Sequence, residues 1–221
     1  MQLDLILQFL RKLRHNNNRA WFEKHKQQYL DAKHVFEDFL EAFHKELLQF
    51  DESLAALNPR KQAFRIYRDV RFSRDKRPYK ENMGAAFSRN GKMDQEAGYY
   101  IHLEPGNCFV AGGLYMPDAV NLARVRQEID YNGEMLMRIL SNKSFKKYFK
   151  SLDEIDKLKT TPKGYPSDHP YIELLRNKSF VVSHAFSNEE VVRYGFVKKA
   201  ARVCEAMKPF NDFLNTAIDA Q

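Results

Sequence analysis

The first third of the chain repeats apolar residues at helical spacing. Leucine and isoleucine recur every three or four positions across residues 3–13, and the asparagine run 16–18 then interrupts the pattern. Because asparagine favours turns and helix N-caps, we expect a second helix to begin there, with an apolar face that extends over residues 32–50. Pro59 cannot continue a helix, so the helical region is predicted over residues 1–58.

The middle of the chain changes to a period of two. Across residues 64–72 the even positions are apolar except at Arg68, and the odd positions are polar or aromatic. Such alternation is typical of a half-buried strand, and two further alternating stretches, 99–104 and 108–116, are joined by a Pro-Gly-Asn turn. Consecutive strands linked by short turns predict an antiparallel sheet of about four to six strands, mainly within residues 62–116.

Helical spacing returns after residue 117 and is interrupted by a long polar loop. Residues 157–170 hold three prolines and a glycine, and a loop of this length is often functional. Residues 180–186 are mainly apolar and are predicted to form one more strand. The sequence Ser-Asn-Glu-Glu at 187–190 fits a capping box that opens the last helix.

Together these elements predict an α+β fold in which helices precede and follow an antiparallel sheet. A length of 221 residues suits a single domain, and we expect one domain over the whole chain, 1–221. Its parts are helices in 1–58, strands mainly in 62–116, helices and a loop in 117–178, and a strand with the last helix in 179–221.

The positive charge of the chain is concentrated in one place. Residues 60–80, called the basic segment below, hold nine basic and two acidic residues, a net charge of +7 that equals the net charge of the whole chain. A local excess of this kind predicts an anionic partner at that place. The partner could be a small molecule that bears phosphate or carboxylate, or the backbone of a nucleic acid.

Other signals narrow the classes of function. The sequence has none of the glycine-rich nucleotide-binding motifs and no zinc-protease motif. Its two cysteines, Cys108 and Cys204, lie outside any metal-binding motif, so we expect no metal, no cofactor and no disulfide. The N-terminus does not resemble a signal peptide, and no apolar stretch is long enough to span a bilayer. We therefore expect a cytoplasmic protein without a membrane partner, and the sequence leaves a protein partner open.

The basic segment supplies most of the candidate ligand-binding residues. Arginine presents a planar fork that grips phosphate or carboxylate through two hydrogen bonds, and Asp69 lies between Arg65 and Arg71, where it would orient both by ion pairing. The alternative is an edge strand protected by charge and followed by a solvated loop. The candidate residues are Arg65, Tyr67, Arg68, Asp69, Arg71, Arg74, Lys76, Lys80 and, on the polar face of another strand, Tyr100.

Two histidines are candidate catalytic bases. His102 shares a predicted strand face with Glu104, and a carboxylate beside a histidine can tune it as a general base. His169 lies in the 157–170 loop, which could close over a ligand. The alternatives are an ordinary exposed sheet face for His102 and a simple connecting loop for His169. In the functional interpretation the basic segment, the His102 face and the His169 loop converge on one cleft.

Four stretches of the chain resemble the uncharacterised family known as domain of unknown function 2461. They begin in the asparagine run and extend almost to the last strand, so the resemblance covers nearly the whole chain. It implies a single domain and brings no activity, cofactor or catalytic residue with it. The matching stretches are 17–26, 65–80, 112–117, and 162–170 together with 174–176.

Three functions are compatible with these patterns. The favoured one is the binding of an anionic ligand through the arginine-rich segment. The second is a metal-independent hydrolase or transferase that uses a histidine base and arginines as charge clamps. The third is a protein-interaction module. A site that unites arginines with a histidine would favour the enzyme, a broad basic face would favour nucleic acid, and a flat apolar patch would favour a protein partner.

Overall fold

The structure is a computed structural model that describes residues 2–92 and 94–220. Within these residues the chain forms eight α-helices and a single four-stranded antiparallel sheet in the order β1-β2-β3-β4, which confirms the predicted α+β class. The helices are α1 (Asp4–His15), α2 (Arg19–Lys24), α3 (Lys26–Leu47), α4 (Ala119–Ser141), α5 (Lys143–Lys146), α6 (Ile172–Leu175), α7 (Asn188–Val192) and α8 (Phe196–Asp219). The strands are β1 (Met83–Phe87), β2 (Gly98–Leu103), β3 (Cys108–Leu114) and β4 (Phe180–Phe186).

The described residues group into two compact units. The first contains residues 2–92, Tyr100–Val110 and Ala185–Arg202, and the second contains residues 94–99, Ala111–His184 and 203–220. The prediction of one domain over the whole chain stays a prediction. No helix among the described residues is long and apolar enough to cross a membrane.

The first unit is built on the three N-terminal helices. The apolar face predicted for the chain start lies on α1, which buries most of its apolar side chains and packs against α3. Asn18 caps α2, because its side chain accepts a hydrogen bond from the backbone NH of Trp21 at 2.9 Å. Phe39 and Phe43 of α3 stack with their rings 5.6 Å apart, and Phe43 meets Phe87 of β1 edge-on. An aromatic core therefore supports β1, which pairs with β2 in the sheet.

The second unit has its own aromatic core around Phe145. Its ring lies 4.9 Å from that of Phe149 and 6.1 Å from that of Phe210. Gly133 inside α4 leaves room for Tyr171, since a Cβ atom there would lie 2.3 Å from the tyrosine ring. The 157–170 loop is irregular along its whole length, as predicted.

The basic segment does not form the strand predicted over residues 64–72. It makes only isolated bridges, from Ala63 to Ala85 and from Tyr67 to Tyr79. Ile66 is buried as the alternation predicts, but Phe72 is 96% exposed where the prediction placed it on the inner side. The prediction was wrong for a physical reason: beyond residue 68 the segment has no neighbouring strand, and charged side chains take over its backbone hydrogen bonds.

Candidate functional site

Asn17 fixes the end of the basic segment. Its side-chain amide donates to the carbonyl oxygen of Tyr79 at 3.0 Å, and its Oδ1 accepts the backbone NH of the same residue at 3.1 Å. This exchange satisfies both backbone groups of Tyr79, as a neighbouring strand would do in a ladder. The Tyr79 ring stacks on Phe22 of α2 with centroids 3.9 Å apart. The N-terminal helices therefore hold the segment in place.

Three arginines of the basic segment, Arg68, Arg71 and Arg77, are paired with carboxylates. Arg71 forms a two-pronged pair with Asp69, with its Nε at 3.0 Å and its Nη2 at 2.6 Å from the two carboxylate oxygens. Asp75 accepts hydrogen bonds from Arg77 and from Arg68, which hold the pKa of that carboxyl well below its usual range. These three arginines are locally neutralised. As predicted, Asp69 orients Arg71, but Arg65 influences it only through its charge.

A second group of cations surrounds the half-buried ring of Phe64. We call Phe64, Arg65, Lys80 and Lys92 the Phe64 cluster. The Nζ atoms of Lys80 and Lys92 lie 5.4 Å and 5.7 Å from the Phe64 ring centroid. Burial lowers the pKa of Lys80, and the positive charges of Arg65 and Lys92 lower it further.

Lys80 and Lys92 have no acidic partner among the residues that the structure describes, whereas the charge of Arg65 acts on Asp69. Lys92 donates from Nζ to the carbonyl oxygens of Lys61, at 2.6 Å, and of Ala63, which leaves its charge unbalanced. Burial also lowers the pKa of Lys92. A buried charge normally needs a partner of opposite sign. The cluster therefore has the electrostatics of an anion site.

Tyr100, His102 and Glu104 form a hydrogen-bonded chain along β2. The Tyr100 hydroxyl lies 2.8 Å from Nδ1 of His102, and Nε2 of His102 lies 3.0 Å from Oε2 of Glu104. Arg14 of α1 donates to the other Glu104 oxygen at 2.7 Å. Since an ionised carboxylate only accepts hydrogen bonds, Nε2 carries the imidazole proton and Nδ1 accepts the phenol proton.

The surroundings of Tyr100, His102 and Glu104 fix the protonation of these three side chains. Burial lowers the pKa of His102 and outweighs the opposing effect of Glu104, so the imidazole is neutral at pH 7. Burial and the Glu104 charge raise the pKa of Tyr100 to about 12, so the phenol keeps its proton. Burial alone would raise the pKa of Glu104, but hydrogen bonds from His102 and Asn107 prevail and lower it.

Tyr100 also reaches the neighbourhood of the Phe64 cluster. Its ring centroid lies 6.3 Å from that of Phe64. A Cβ atom on Gly84 would lie 2.4 Å from the Tyr100 hydroxyl oxygen, so only glycine leaves room for this phenol. The carbonyl oxygen of Gly84 in turn accepts a hydrogen bond from the backbone NH of Phe64 at 2.9 Å. The phenol and the three cations therefore lie around the same short stretch of backbone.

His169 belongs to the second unit and is bound differently. Its Nε2 lies 2.9 Å from Oδ1 of Asp130, and its Nδ1 accepts the backbone NH of Tyr171 at 3.1 Å. A backbone amide does not give up its proton, so this geometry orients the 157–170 loop more readily than it supplies a base. The single cleft that would unite His169 with His102 stays a prediction.

The remaining candidates are spread over the surface of the segment. Tyr67 is 47% exposed, and Arg74 and Lys76 are exposed, with Lys76 donating to the carbonyl oxygen of Val70 at 3.0 Å. No group of three or more metal-ligating side chains comes together in residues 2–92 and 94–220. The expectation that the protein has no metal and no cofactor stays a prediction.

Sequence reasoning missed three residues of the site. Asn17 was interpreted only as part of a turn, although a helix N-cap needs one asparagine and the run offers three. Arg14 was hidden in the polar face of α1. Lys92 follows the Asn-Gly turn and carries no local signal, because its role depends on the distant Phe64.

Comparisons with known proteins identify a family and nothing finer. A family model described as a conserved hypothetical protein (DUF2461) matches residues 5–213 of the 221-residue chain. No curated protein and no solved structure gives a match. The chemistry of the site must therefore be argued from its own geometry.

Proposed function

The chain belongs to the DUF2461 family, whose description states no activity, and we propose that it binds an anionic ligand at the Phe64 cluster. The ligand carries a phosphate or carboxylate group. Arg65, Lys80 and Lys92 supply the positive charge, and the ring of Tyr100 lies beside that of Phe64.

The observation that carries this proposal is the state of Lys80. It is half-buried, close to two other cations, and has a lowered pKa. Folding brings these like charges together at a cost in free energy. An anion between them would remove that cost.

The loop arginines support the site instead of forming it. An anion that approached Arg68, Arg71 or Arg77 would have to compete with Asp69 and Asp75, which already hold these guanidinium groups. Their pairs are exposed and individually weak, but together they fold the loop. The order of importance within the predicted ligand-binding residues is therefore Lys80 and Arg65 first, and the paired arginines last.

The proposal is tested by the thermal midpoint of unfolding in inorganic phosphate. A ligand at 100 times its dissociation constant stabilises the folded state by about 2.7 kcal/mol, which corresponds to roughly 5–10 °C for a chain of this size. We expect this shift in the natural protein and its loss in Lys80→Gln. Lys198→Gln, which changes an exposed lysine on α8, is the matched control and should keep the shift. Equal shifts in both variants, or none in the natural protein, would contradict the proposal.

A second function, a metal-independent hydrolase or transferase, is favoured by the chain of Tyr100, His102 and Glu104. In this function His102 accepts the phenol proton of Tyr100 at Nδ1 as the phenol oxygen attacks the ester and displaces p-nitrophenolate, and water then cleaves the tyrosyl ester. Glu104 holds the other nitrogen and stabilises the imidazolium that forms, against the cost that the raised pKa of Tyr100 and the lowered pKa of His102 impose. We expect hydrolysis of p-nitrophenyl phosphate or p-nitrophenyl acetate that falls about 100-fold or more in His102→Gln. His169→Gln should retain the hydrolytic activity. If the natural protein cleaves neither ester, the hydrolase function is contradicted.

A cytoplasmic location is also a proposal. It rests on the sequence, in which Cys108 and Cys204 lie apart from any disulfide framework. Fractionation of the host cell would test it.

A further inference from the structure

We propose that the anion at the Phe64 cluster is a backbone phosphate of a single-stranded nucleic acid, whose unpaired bases stack on exposed aromatic rings of the basic segment. This inference rests on the proposed function and names its ligand class. Phe72 is the main ring on which we expect a base to stack.

Aromatic and basic residues alternate throughout the segment. Each of its four aromatic residues is a direct sequence neighbour of a cation, in the pairs Phe64 with Arg65, Tyr67 with Arg68, Phe72 with Arg71, and Tyr79 with Lys80. Proteins that bind single strands combine charges that follow the backbone with rings on which the bases stack. A site for one small phosphate would need the cations and would not need the rings.

Phe72 is unusual because it is 96% exposed. Leaving a side chain of this size in water forgoes roughly 1.5–3 kcal/mol of burial free energy. The guanidinium carbon of Arg71 lies 5.9 Å from the Phe72 ring centroid, so the ring also has a cation beside it. One exposed phenylalanine is ordinary on a protein surface, but an exposed ring with a cation beside it at a loop tip matches the stacking platforms of single-strand binders.

The loop is built so that Phe72 projects. On one side Asp69 accepts the backbone NH of Arg71 at 3.2 Å, and on the other side Asp75 accepts the backbone NH of Arg77 at 3.0 Å. Lys76 closes the loop by donating to the carbonyl oxygen of Val70 at 3.0 Å. These bonds hold the two ends of the loop, and at its tip, between residues 71 and 75, Phe72 and Arg74 are both exposed.

The same features select a single strand over a duplex. A protein ring can stack only on a base that is not already stacked within a helix, so Phe72 has no partner in paired nucleic acid. The segment also lacks a recognition helix for the major groove, because it is irregular from residue 64 to 82. Binding should therefore depend on base stacking and charge and show little sequence preference.

The test is fluorescence anisotropy of labelled single-stranded and duplex oligonucleotides of equal length, at several salt concentrations. Loss of one stacked base costs about 1–3 kcal/mol, a weakening of roughly 5- to 150-fold, so Phe72→Ala should lose that much affinity for the single strand. Phe72→Trp should restore it. Tyr194→Ala, which removes another fully exposed ring next to an arginine and outside the basic segment, is the matched control and should bind normally.

A second variant separates charge from stacking. The affinity for a single strand should fall with a log–log salt slope of about 0.7 per phosphate contact, and Lys80→Gln should reduce the slope by about one such contact. Phe72→Ala should leave the slope and the phosphate-induced thermal shift unchanged.

Three results would overturn this inference. The first is equal affinity for duplex and single strand, and the second is full affinity for the single strand in Phe72→Ala. The third is binding of the protein to vesicles of anionic phospholipid from which an added single strand does not displace it. If phosphate stabilises the protein and oligonucleotides do not bind, the inference is wrong and the proposed function stands. If neither binds, both are wrong.

Discussion

The four-stranded sheet and the basic segment satisfy their extended backbone in different ways. In the sheet, each strand pairs with the next one along the chain, so backbone groups bond to backbone groups. In the basic segment a few backbone groups bond to other backbone groups, and side chains satisfy several of the others. Asn17 bonds to Tyr79, Lys92 to Ala63, and Asp75 to Arg77. The difference indicates where a substitution should affect stability and where it should affect binding. Substitutions in the sheet should cost stability, whereas substitutions at the tip of the segment should cost only binding.

The largest effect is expected for Gly113→Ala in β3. Gly113 has φ of +114°, and a Cβ atom there would lie 2.0 Å from the carbonyl oxygen of Phe180. Because that neighbour is backbone and cannot move aside, we expect a loss of about 3–5 kcal/mol in the free energy of unfolding. Urea denaturation measures it. The control is Gly164→Ala, which has φ of +93° but open space around its Cβ, and should lose only the strain, about 1 kcal/mol. Similar losses at both positions would show that the close contact is irrelevant.

A smaller effect is expected for Gly84→Ala in β1. The new methyl group would collide with the hydroxyl oxygen of Tyr100, which is side chain and can shift. We expect a loss of about 2–3 kcal/mol, accompanied by rupture of the hydrogen bond to His102.

Tyr100→Phe supplies the double-mutant cycle for this position. Removing the hydroxyl oxygen relieves the collision, so Gly84→Ala should cost less in the Tyr100→Phe background than in the natural protein. Additive losses would mean that the two residues do not meet as the geometry requires.

Asn17→Ala should cost about 1–3 kcal/mol, because it leaves the backbone NH and carbonyl of Tyr79 without their partner. Native-state hydrogen exchange should show faster exchange at the Tyr79 amide. Asn16→Ala removes a single exposed bond, to the Lys12 carbonyl, and is the control, with a loss under about 1 kcal/mol. An unchanged Tyr79 exchange rate in Asn17→Ala would show that the clamp does not hold the segment.

The smallest effect is a dependence of stability on alkaline pH. The pKa of Lys80 is lower in the folded protein than in the unfolded chain. Between these two pKa values the unfolded chain binds more protons, so Lys80 makes stability rise as pH increases towards 10.5, its ordinary value. Other groups titrate there too, so the measurement is the difference between the natural protein and Lys80→Gln. That difference should shrink as pH rises, and a difference that stays constant would contradict the lowered pKa.

The sequence predicted the regular parts of the fold because their signals are local. Alternation in β2 and β3 identified two strands, and the capping sequence at Ser187 identified a helix start, where both capping hydrogen bonds are present. The helix that it opens is the short α7, however, and the last helix, α8, begins separately at Phe196. The same alternation over residues 64–72 misled, because a strand also needs a neighbour, and periodicity carries no information about neighbours. The burial of Ile66 and the exposure of residues 65, 67, 69 and 71 followed the pattern, but the exposure of Phe72 did not.

The kind of chemistry at the candidate site could be predicted from the sequence, but which residues form the site could be predicted only in part. Counting charges located the basic segment but could not separate cations that meet a carboxylate, such as Arg71, from cations that do not, such as Lys80. That distinction depends on three-dimensional neighbours. The link between His102 and Glu104 was foreseeable, because residues two apart on a strand share a face.

The contact between Asn17 and Tyr79 has a consequence for how the protein assembles. The two residues are 62 positions apart in the chain, so their pairing closes a long loop and must repay the entropy of closing it. The basic segment therefore cannot acquire its shape from its own residues alone, because it needs Asn17 from the start of the chain and Lys92, which follows it. A synthetic peptide copied from residues 60–82, or the same stretch grafted onto another scaffold, would lack Asn17 and Lys92. Such a peptide will behave as a flexible polycation, and its anion affinity will not depend on Lys80 more than on its other lysines.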